Sequence, residues 1–162
     1  MTEKERELIL SFALGRISEA EFLSSFGHDF RADPGRAVEL LDKARQERSP
    51  EDVELSLILA GKFGSLPSAL HILNQLLAEG WHYRHEDIAL ALEELHDPSS
   101  IEPLYRAALS RHEYLDYDDG YALARKCTWA LYKIGTPEAF ERLRDLSRGE
   151  NLVIAGYARK RL

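Results

Sequence analysis

The sequence reads IALALEELHDPSSIEPLYRAAL over residues 88–109 and CTWALYKIGTPEAFERLRDLSR over residues 127–148, a shift of 39 positions. Each copy has the pattern of an apolar helix, a turn that contains a proline, and a second amphipathic helix. A helix pair repeated at this interval predicts a stack, because a single pair cannot bury its own apolar face. The aligned positions include Ala91 with Ala130, Leu92 with Leu131, Leu95 with Ile134, Pro98 with Pro137, Ile101 with Phe140, Glu102 with Glu141, and Leu104 with Leu143.

The helical pattern extends outward from this pair towards both ends of the chain. Residues 60–73 match the repeat more weakly, at a shift of 31, because a glycine falls where a core leucine is expected. No segment alternates apolar and polar residues in the manner of a strand. We therefore predict an all-α fold, an α-solenoid of about ten helices in antiparallel pairs. We expect a single domain over residues 1–162, with clear repeats in residues 88–162 and weaker helical pairs in residues 1–87.

The apolar positions of the two copies form the predicted core. Trp129 lies on the same apolar stripe as Leu123 and Ala130, which predicts a core position for its ring as well. The side chains expected to be buried are Ala91, Leu92, Leu95, Ile101, Leu104, Ala130, Leu131, Ile134, Phe140 and Leu143.

The composition fits a globular protein that stays in solution. Of 162 residues, 44% are hydrophobic and 30% are charged. The chain therefore has enough apolar residues for a core, and its composition is unlike that of an intrinsically disordered protein. The single cysteine, Cys127, has no partner for an intrachain disulfide, which fits a reducing compartment. The first residues are acidic, unlike a signal peptide, and no apolar run is long enough to cross a membrane. These features predict a cytoplasmic protein.

The net charge of −7 is unevenly distributed. Residues 51–120 contain 14 Asp and Glu against 4 Lys and Arg, whereas residues 121–162 contain 9 Lys and Arg against 4 Asp and Glu. An acidic middle disfavours a phosphate backbone and attracts a basic partner. It is also compatible with a surface that is simply well solvated. We expect a protein partner with a basic surface, and neither nucleic acid nor membrane.

Residues 90–104 and 128–140 resemble bacterial HEAT-like repeats. These repeats have a small apolar helix face, a turn with glycine or aspartate, and a proline at the start of the second helix. The clear resemblance covers residues 88–162, and weaker copies cover residues 34–87. It implies a protein-binding scaffold, although a minority of HEAT-like proteins are lyases of tetrapyrrole pigments or DNA glycosylases.

A first group of candidate contact residues lies in GWHYRHED, residues 80–87. Trp, Tyr and Arg dominate the binding energy of protein interfaces, so this dense group predicts a contact surface. Two alternatives remain open: Trp81 packs under the next helix in a structural role, or the two histidines bind a metal with Glu86 and with His112 or Asp116. The predicted contact residues are Trp81, His82, Tyr83, His85 and Glu86.

A second group lies in HEYLDYDDGY, residues 112–121, between the two clear repeats. Three tyrosines alternate there with four carboxylates, a combination suited to a basic partner. The acidic residues do not follow the spacing of a calcium loop, and some of the tyrosines also suit packing on a neighbouring repeat. The predicted contact residues are Tyr114, Asp116, Tyr117, Asp118, Asp119 and Tyr121.

Enzyme signatures are largely absent from the sequence. There is no G-x-S-x-G motif, and GKFGS at residues 61–65 lacks the spacing of a phosphate-binding loop. We therefore expect no catalytic residues, no bound metal and no cofactor. The hypothesis that follows is a non-catalytic protein-binding module, and more specifically an immunity protein that neutralises a bacterial toxin. The alternatives are a generic or regulatory repeat scaffold and a metal-assisted enzyme that uses His82, His85 and Asp116.

Overall fold

The computed structural model describes residues 1–116 and 121–162. These two ranges contain ten α-helices and no β-strand, which confirms the prediction of an all-α fold of the HEAT-like α-solenoid class. The helices are α1 (Glu3–Ala13), α2 (Glu19–Phe26), α3 (Gly35–Gln46), α4 (Pro50–Lys62), α5 (Leu70–Leu77), α6 (His85–Leu95), α7 (Ile101–Leu109), α8 (Ala122–Ile134), α9 (Pro137–Ser147) and α10 (Leu152–Arg159).

The helices form two compact units, Met1–Ile72 and Leu73–Leu162. In the first unit, α1 packs against α2 and α4, and α3 packs against α4. Its core contains a group of phenylalanine rings in which Phe22 stacks on Phe12 with 4.6 Å between centroids. The ring of Phe30 stacks on that of Phe63 at 5.3 Å. Such pairs add to the stabilisation that comes from area burial alone.

In the second unit, equivalent helices of the two repeats lie side by side. Helix α8 packs against α6, and α9 packs against α7, while α10 covers both α8 and α9. This arrangement is how a stack of helix pairs buries the face that one pair leaves open.

The turn inside each helix pair has the same construction. His96 and Gly135, which are 39 positions apart, both end their helix in the left-handed region, with φ of 52° and 70°. The next residues, Asp97 and Thr136, each accept a backbone hydrogen bond through the side chain, and a proline follows. The sequence repeat is therefore a repeat of helix stop and start signals as well as of core residues.

The backbone at His96 supports a prediction about stability. A residue with a Cβ is strained at this φ, so His96→Gly should raise the free energy of unfolding by about 0.5–1 kcal/mol. The reciprocal change Gly135→Ala should lower it by a similar amount, since glycine now occupies the equivalent position. Urea unfolding of both variants beside the wild type measures the two effects, and changes of the same sign would contradict this account.

The predicted core is mostly confirmed. Leu104 and Leu143 are completely buried, as are Leu92, Ala130 and Leu131. Three predicted core residues, Leu95, Ile134 and Phe140, are only half-buried. They lie at the ends of their helices or beside the turn, where neighbouring helices cover a side chain incompletely.

The prediction for Trp129 is wrong. Its side chain is 37% exposed on α8, and the guanidinium group of Arg161 lies over the ring with its Cζ 3.5 Å from the centroid. An indole on the flank of an apolar stripe can extend its edge to solvent because part of the ring is apolar and its N–H is polar.

Candidate protein-binding site

The two groups of candidate contact residues come together in the second unit. The ring of Tyr83, before α6, meets the ring of Tyr114 edge-on with 5.3 Å between centroids. The hydroxyl of Tyr114 also lies 2.8 Å from Nδ1 of His85 and 3.3 Å from its backbone nitrogen. The connections α5–α6 and α7–α8 therefore lie side by side, as expected for equivalent connections of stacked helix pairs.

His82 and His85 are completely buried in this arrangement. Their rings stack with 4.1 Å between centroids, and His112 stacks on the other side of His85 at 3.7 Å. The sequence-based inclusion of His82 and His85 in a contact surface is thus corrected, because neither side chain reaches the surface. They hold the two connections together from inside.

Hydrogen bonds to every nitrogen of the two buried imidazoles explain why the fold tolerates them. Nε2 of His82 donates to the carbonyl oxygen of Leu76 at 2.7 Å, and its Nδ1 accepts from the backbone N–H of Arg84 at 3.1 Å. Nε2 of His85 donates to the carbonyl oxygen of Glu79 at 2.8 Å, while its Nδ1 accepts from the Tyr114 hydroxyl. The carbonyl of Leu76 belongs to the last turn of α5, where backbone acceptors lack partners within the helix. With donors and acceptors assigned in this way, both rings are neutral.

The surroundings favour the neutral forms. Burial, together with the neighbouring rings of His82 and His112, lowers the pKa of His85 to about 3. Burial also lowers the pKa of His82 and of His112. Burial raises the pKa of the Tyr114 hydroxyl to about 12, so this group remains a hydrogen-bond donor. The cluster is uncharged at neutral pH and is built for packing.

Two aromatic side chains of the candidate site remain available to a partner. Tyr83 is 62% exposed, and Trp81 is half-buried with its indole N–H donating to the carboxylate of Glu79. A shallow groove runs between the two connections beside them. Its lining consists of Gly80, Trp81, Tyr83, Arg111, His112, Glu113 and Tyr114.

The acidic candidates lie at the edges of this region. Glu86 is half-buried and pairs with Lys126 of α8 at 3.3 Å. Asp116 is exposed and pairs with Arg111 at 3.1 Å. Tyr121 is half-buried at the start of α8. The remaining candidates, Tyr117, Asp118 and Asp119, lie outside the described residues.

The structure does not assemble the metal site considered as an alternative. In residues 1–116 and 121–162, no three His, Cys, Asp or Glu side chains come together in a way that could hold a metal ion. Asp116 faces Arg111, and both nitrogens of His82 and of His85 already take part in hydrogen bonds. The described residues therefore do not form the three-residue metal site that this alternative requires.

One group of surface residues was not predicted as a binding site from the sequence, because Trp129 was assigned to the core. Besides Trp129, Tyr132 of α8 is 42% exposed, and the two rings meet at 5.7 Å. The available signal was the helical spacing of Arg125, Trp129 and Lys133, which places two cations and an indole on one face of α8.

In the described part of the chain, no helix combines the length and apolar character that crossing a bilayer requires.

Comparison with protein families shows one match: residues 123–149 match the family model of the PBS lyase HEAT-like repeat. No curated protein and no solved structure matches the chain. The matched stretch contains nearly all of α8, the turn at Gly135 and α9. This region is therefore similar to one HEAT-like repeat, a type of repeat that generally mediates protein interactions.

Proposed function

We propose that this chain is a non-catalytic protein-binding module, and specifically an immunity protein that neutralises a toxin with a basic surface. The observation that carries the proposal is the exposed ring of Tyr83, held edge-on against Tyr114 beside the half-buried Trp81. Large exposed aromatic side chains that are already ordered lose little entropy on binding, and they dominate the energy of protein interfaces.

The order of this surface comes from the groups beneath it. Tyr114 is fixed by two contacts with His85, and His85 is in turn held between the rings of His82 and His112. A partner therefore meets a surface whose aromatic rings are positioned from the interior. This is the arrangement expected of a surface selected for binding, since tight interfaces are usually preorganised.

The charge of the region supports a basic partner. Residues 51–120 contain 14 acidic residues against 4 Lys and Arg. Glu113 is exposed in the lining of the groove, Asp116 is exposed and pairs with Arg111 of that lining, and Asp118 and Asp119 follow in the sequence. Acidic groups around an aromatic centre attract a cationic protein over a distance and exclude anionic ones. A toxin that acts on an anionic substrate has a basic surface, which such an acidic patch would cover.

A generic scaffold is the second candidate function. It is favoured by the HEAT-like match itself, which supports interaction with other proteins and does not specify toxicity. The two candidates differ in one observable property of the partner: only a toxin arrests growth when it is produced without this chain.

The binding site is tested with a partner captured from the native host and then purified. Tyr83→Ala should weaken its affinity at least tenfold, about 1.4 kcal/mol, as expected for an interfacial aromatic residue. Asp116→Lys should slow association, and this effect should fade at high salt because screening removes steering. Binding kinetics measure both effects, and Tyr117→Ala and Asp118→Lys extend the test beyond the described residues.

Matched controls lie in the first unit. Leu14→Ala removes an apolar side chain that is 61% exposed, and Glu39→Lys reverses a charge on the exposed side of α3. Neither should change the affinity or the association rate. If the site variants bind like the wild type, the proposed surface is wrong. If they bind weakly but the partner alone leaves growth unchanged, the module is a scaffold and the immunity role fails.

A further inference from the structure

A second surface of the same unit differs in chemistry from the candidate site. It is centred on Trp129 and Tyr132 of α8, and Arg161 reaches it from beyond the end of α10. Arg125 and Lys133 lie one turn to either side of Trp129 on the same helix face, and both are exposed. We call these five residues the Trp129 patch. It combines two exposed aromatic rings with three cations.

The cations of the Trp129 patch lack acidic partners among the residues that the structure describes. Arg125, Lys133 and Arg161 form no ion pair within residues 1–116 and 121–162. The Nε atom of Arg161 is buried and has no hydrogen-bond partner in the same residues. A buried donor without an acceptor is costly, so the described residues leave the hydrogen bonding of this guanidinium incomplete.

Arg161 is also held in place for an acceptor that comes from another molecule. The Cζ atom of its guanidinium group lies 3.5 Å from the centroid of the indole ring, a distance typical of stacking. A stacked guanidinium retains its fork of N–H donors at the edge, where a carboxylate can bind with two hydrogen bonds. Because the stack already restricts the side chain, binding costs less conformational entropy than it would for a mobile arginine.

We propose that the Trp129 patch binds an acidic peptide segment of another protein, with a carboxylate of that segment paired to Arg161. An acidic segment complements the charge of residues 121–162, which contain 9 Lys and Arg but only 4 Asp and Glu. This surface shares no residue with the groove at Tyr83, and the two proposed binding faces lie in regions of the sequence with opposite net charge. The inference does not depend on the identity of the partner at the groove.

A peptide fits this surface better than a nucleic acid does. Base stacking needs an open ring face, and Arg161 already covers one face of Trp129. Nucleic-acid binding also relies on an extended track of cations, whereas the rest of the chain is acidic and its net charge is −7. A short acidic segment requires only the few cations that this patch supplies.

The experiment selects ligands from a random-peptide phage library on the full chain. We expect the enriched sequences to be rich in Asp and Glu, and a labelled synthetic copy of one of them to bind in solution. Arg161→Gln and Trp129→Ala should each reduce its affinity at least tenfold, as expected for the central residues of a binding surface. Arg161→Lys should not restore binding, because an ammonium group lacks the planar fork. Binding should also weaken with salt.

The matched control is Arg16→Gln, which removes an exposed positive charge from the first unit and should leave the affinity unchanged. Circular dichroism of each variant shows whether the helices remain intact, and Trp129→Phe keeps an aromatic ring if the alanine variant unfolds. Three results would overturn the proposal: selection of peptides without acidic residues, equal binding by Arg161→Gln, or binding of oligo(dT) to the patch at least as tightly as the selected peptide.

Discussion

Leu104→Ala should lower the free energy of unfolding by about 2–5 kcal/mol, and Leu143→Ala should do the same. Both side chains are completely buried, and they occupy equivalent positions in the stacked helices α7 and α9. Each truncation removes apolar contacts and leaves a cavity between two helix pairs, which neighbouring backbones cannot close. Urea unfolding followed by circular dichroism measures the loss.

The control for this prediction is Leu109→Ala, also on α7. Its side chain is 50% exposed, so the truncation should cost less than about 1 kcal/mol. Equal losses of unfolding free energy for Leu104→Ala and Leu109→Ala would show that burial does not determine how much each leucine stabilises the fold. Loss at only one of the two equivalent positions would show that the repeats are not packed alike.

Acidification should destabilise the protein well before its carboxylates become protonated. An unfolded histidine has a pKa near 6.5, whereas burial lowers that of His85 to about 3 in the folded protein. The unfolded state therefore binds more protons below pH 6.5, and stability that is fully present above this value is lost as the pH falls towards 3. His85 alone should cost about 2 kcal/mol by pH 5. His82 and His112 act in the same direction.

The dependence of the unfolding free energy on pH, between about pH 7 and about pH 5, measures this effect. His85→Gln should reduce the slope by roughly one proton, although it also lowers stability at neutral pH by disrupting the contact with Tyr114. His71→Gln, which removes an exposed imidazole from α5, is the matched control substitution. A flat profile for the wild type would mean that the buried imidazoles are not held neutral.

The sequence predicts the fold well because its signals are local. Pro98 and Pro137, the residues before them and the apolar positions around them determine where helices begin, end and pack. Those signals act within a few residues, so they can be recognised without a structure.

The candidate site is less predictable because its decisive contacts join distant residues. His82 and His85 resemble surface residues in the sequence, and their burial depends on the carbonyl acceptors of Leu76 and Glu79 and on the rings of His112 and Tyr114. The sequence places Trp129 on an apolar stripe, which is typical of a core residue. In the structure its ring is covered by Arg161, which comes 32 positions later in the sequence. No local pattern in the sequence indicates which distant group will supply such a partner.

The shared turn at His96 and Gly135 makes this part of the chain extensible by duplication. A copy of residues 97–135 inserted after Gly135 would begin and end at equivalent points, so a new helix pair would join the stack with both neighbouring turns in register. Insertion of a single helix at the same point would instead leave one helix without a partner. Over evolutionary time, length should therefore change in whole helix pairs, while the connections between pairs diverge freely. His85 lies beside one such connection, and the equivalent position in the next pair is Ala124, which lacks its hydrogen-bonding groups.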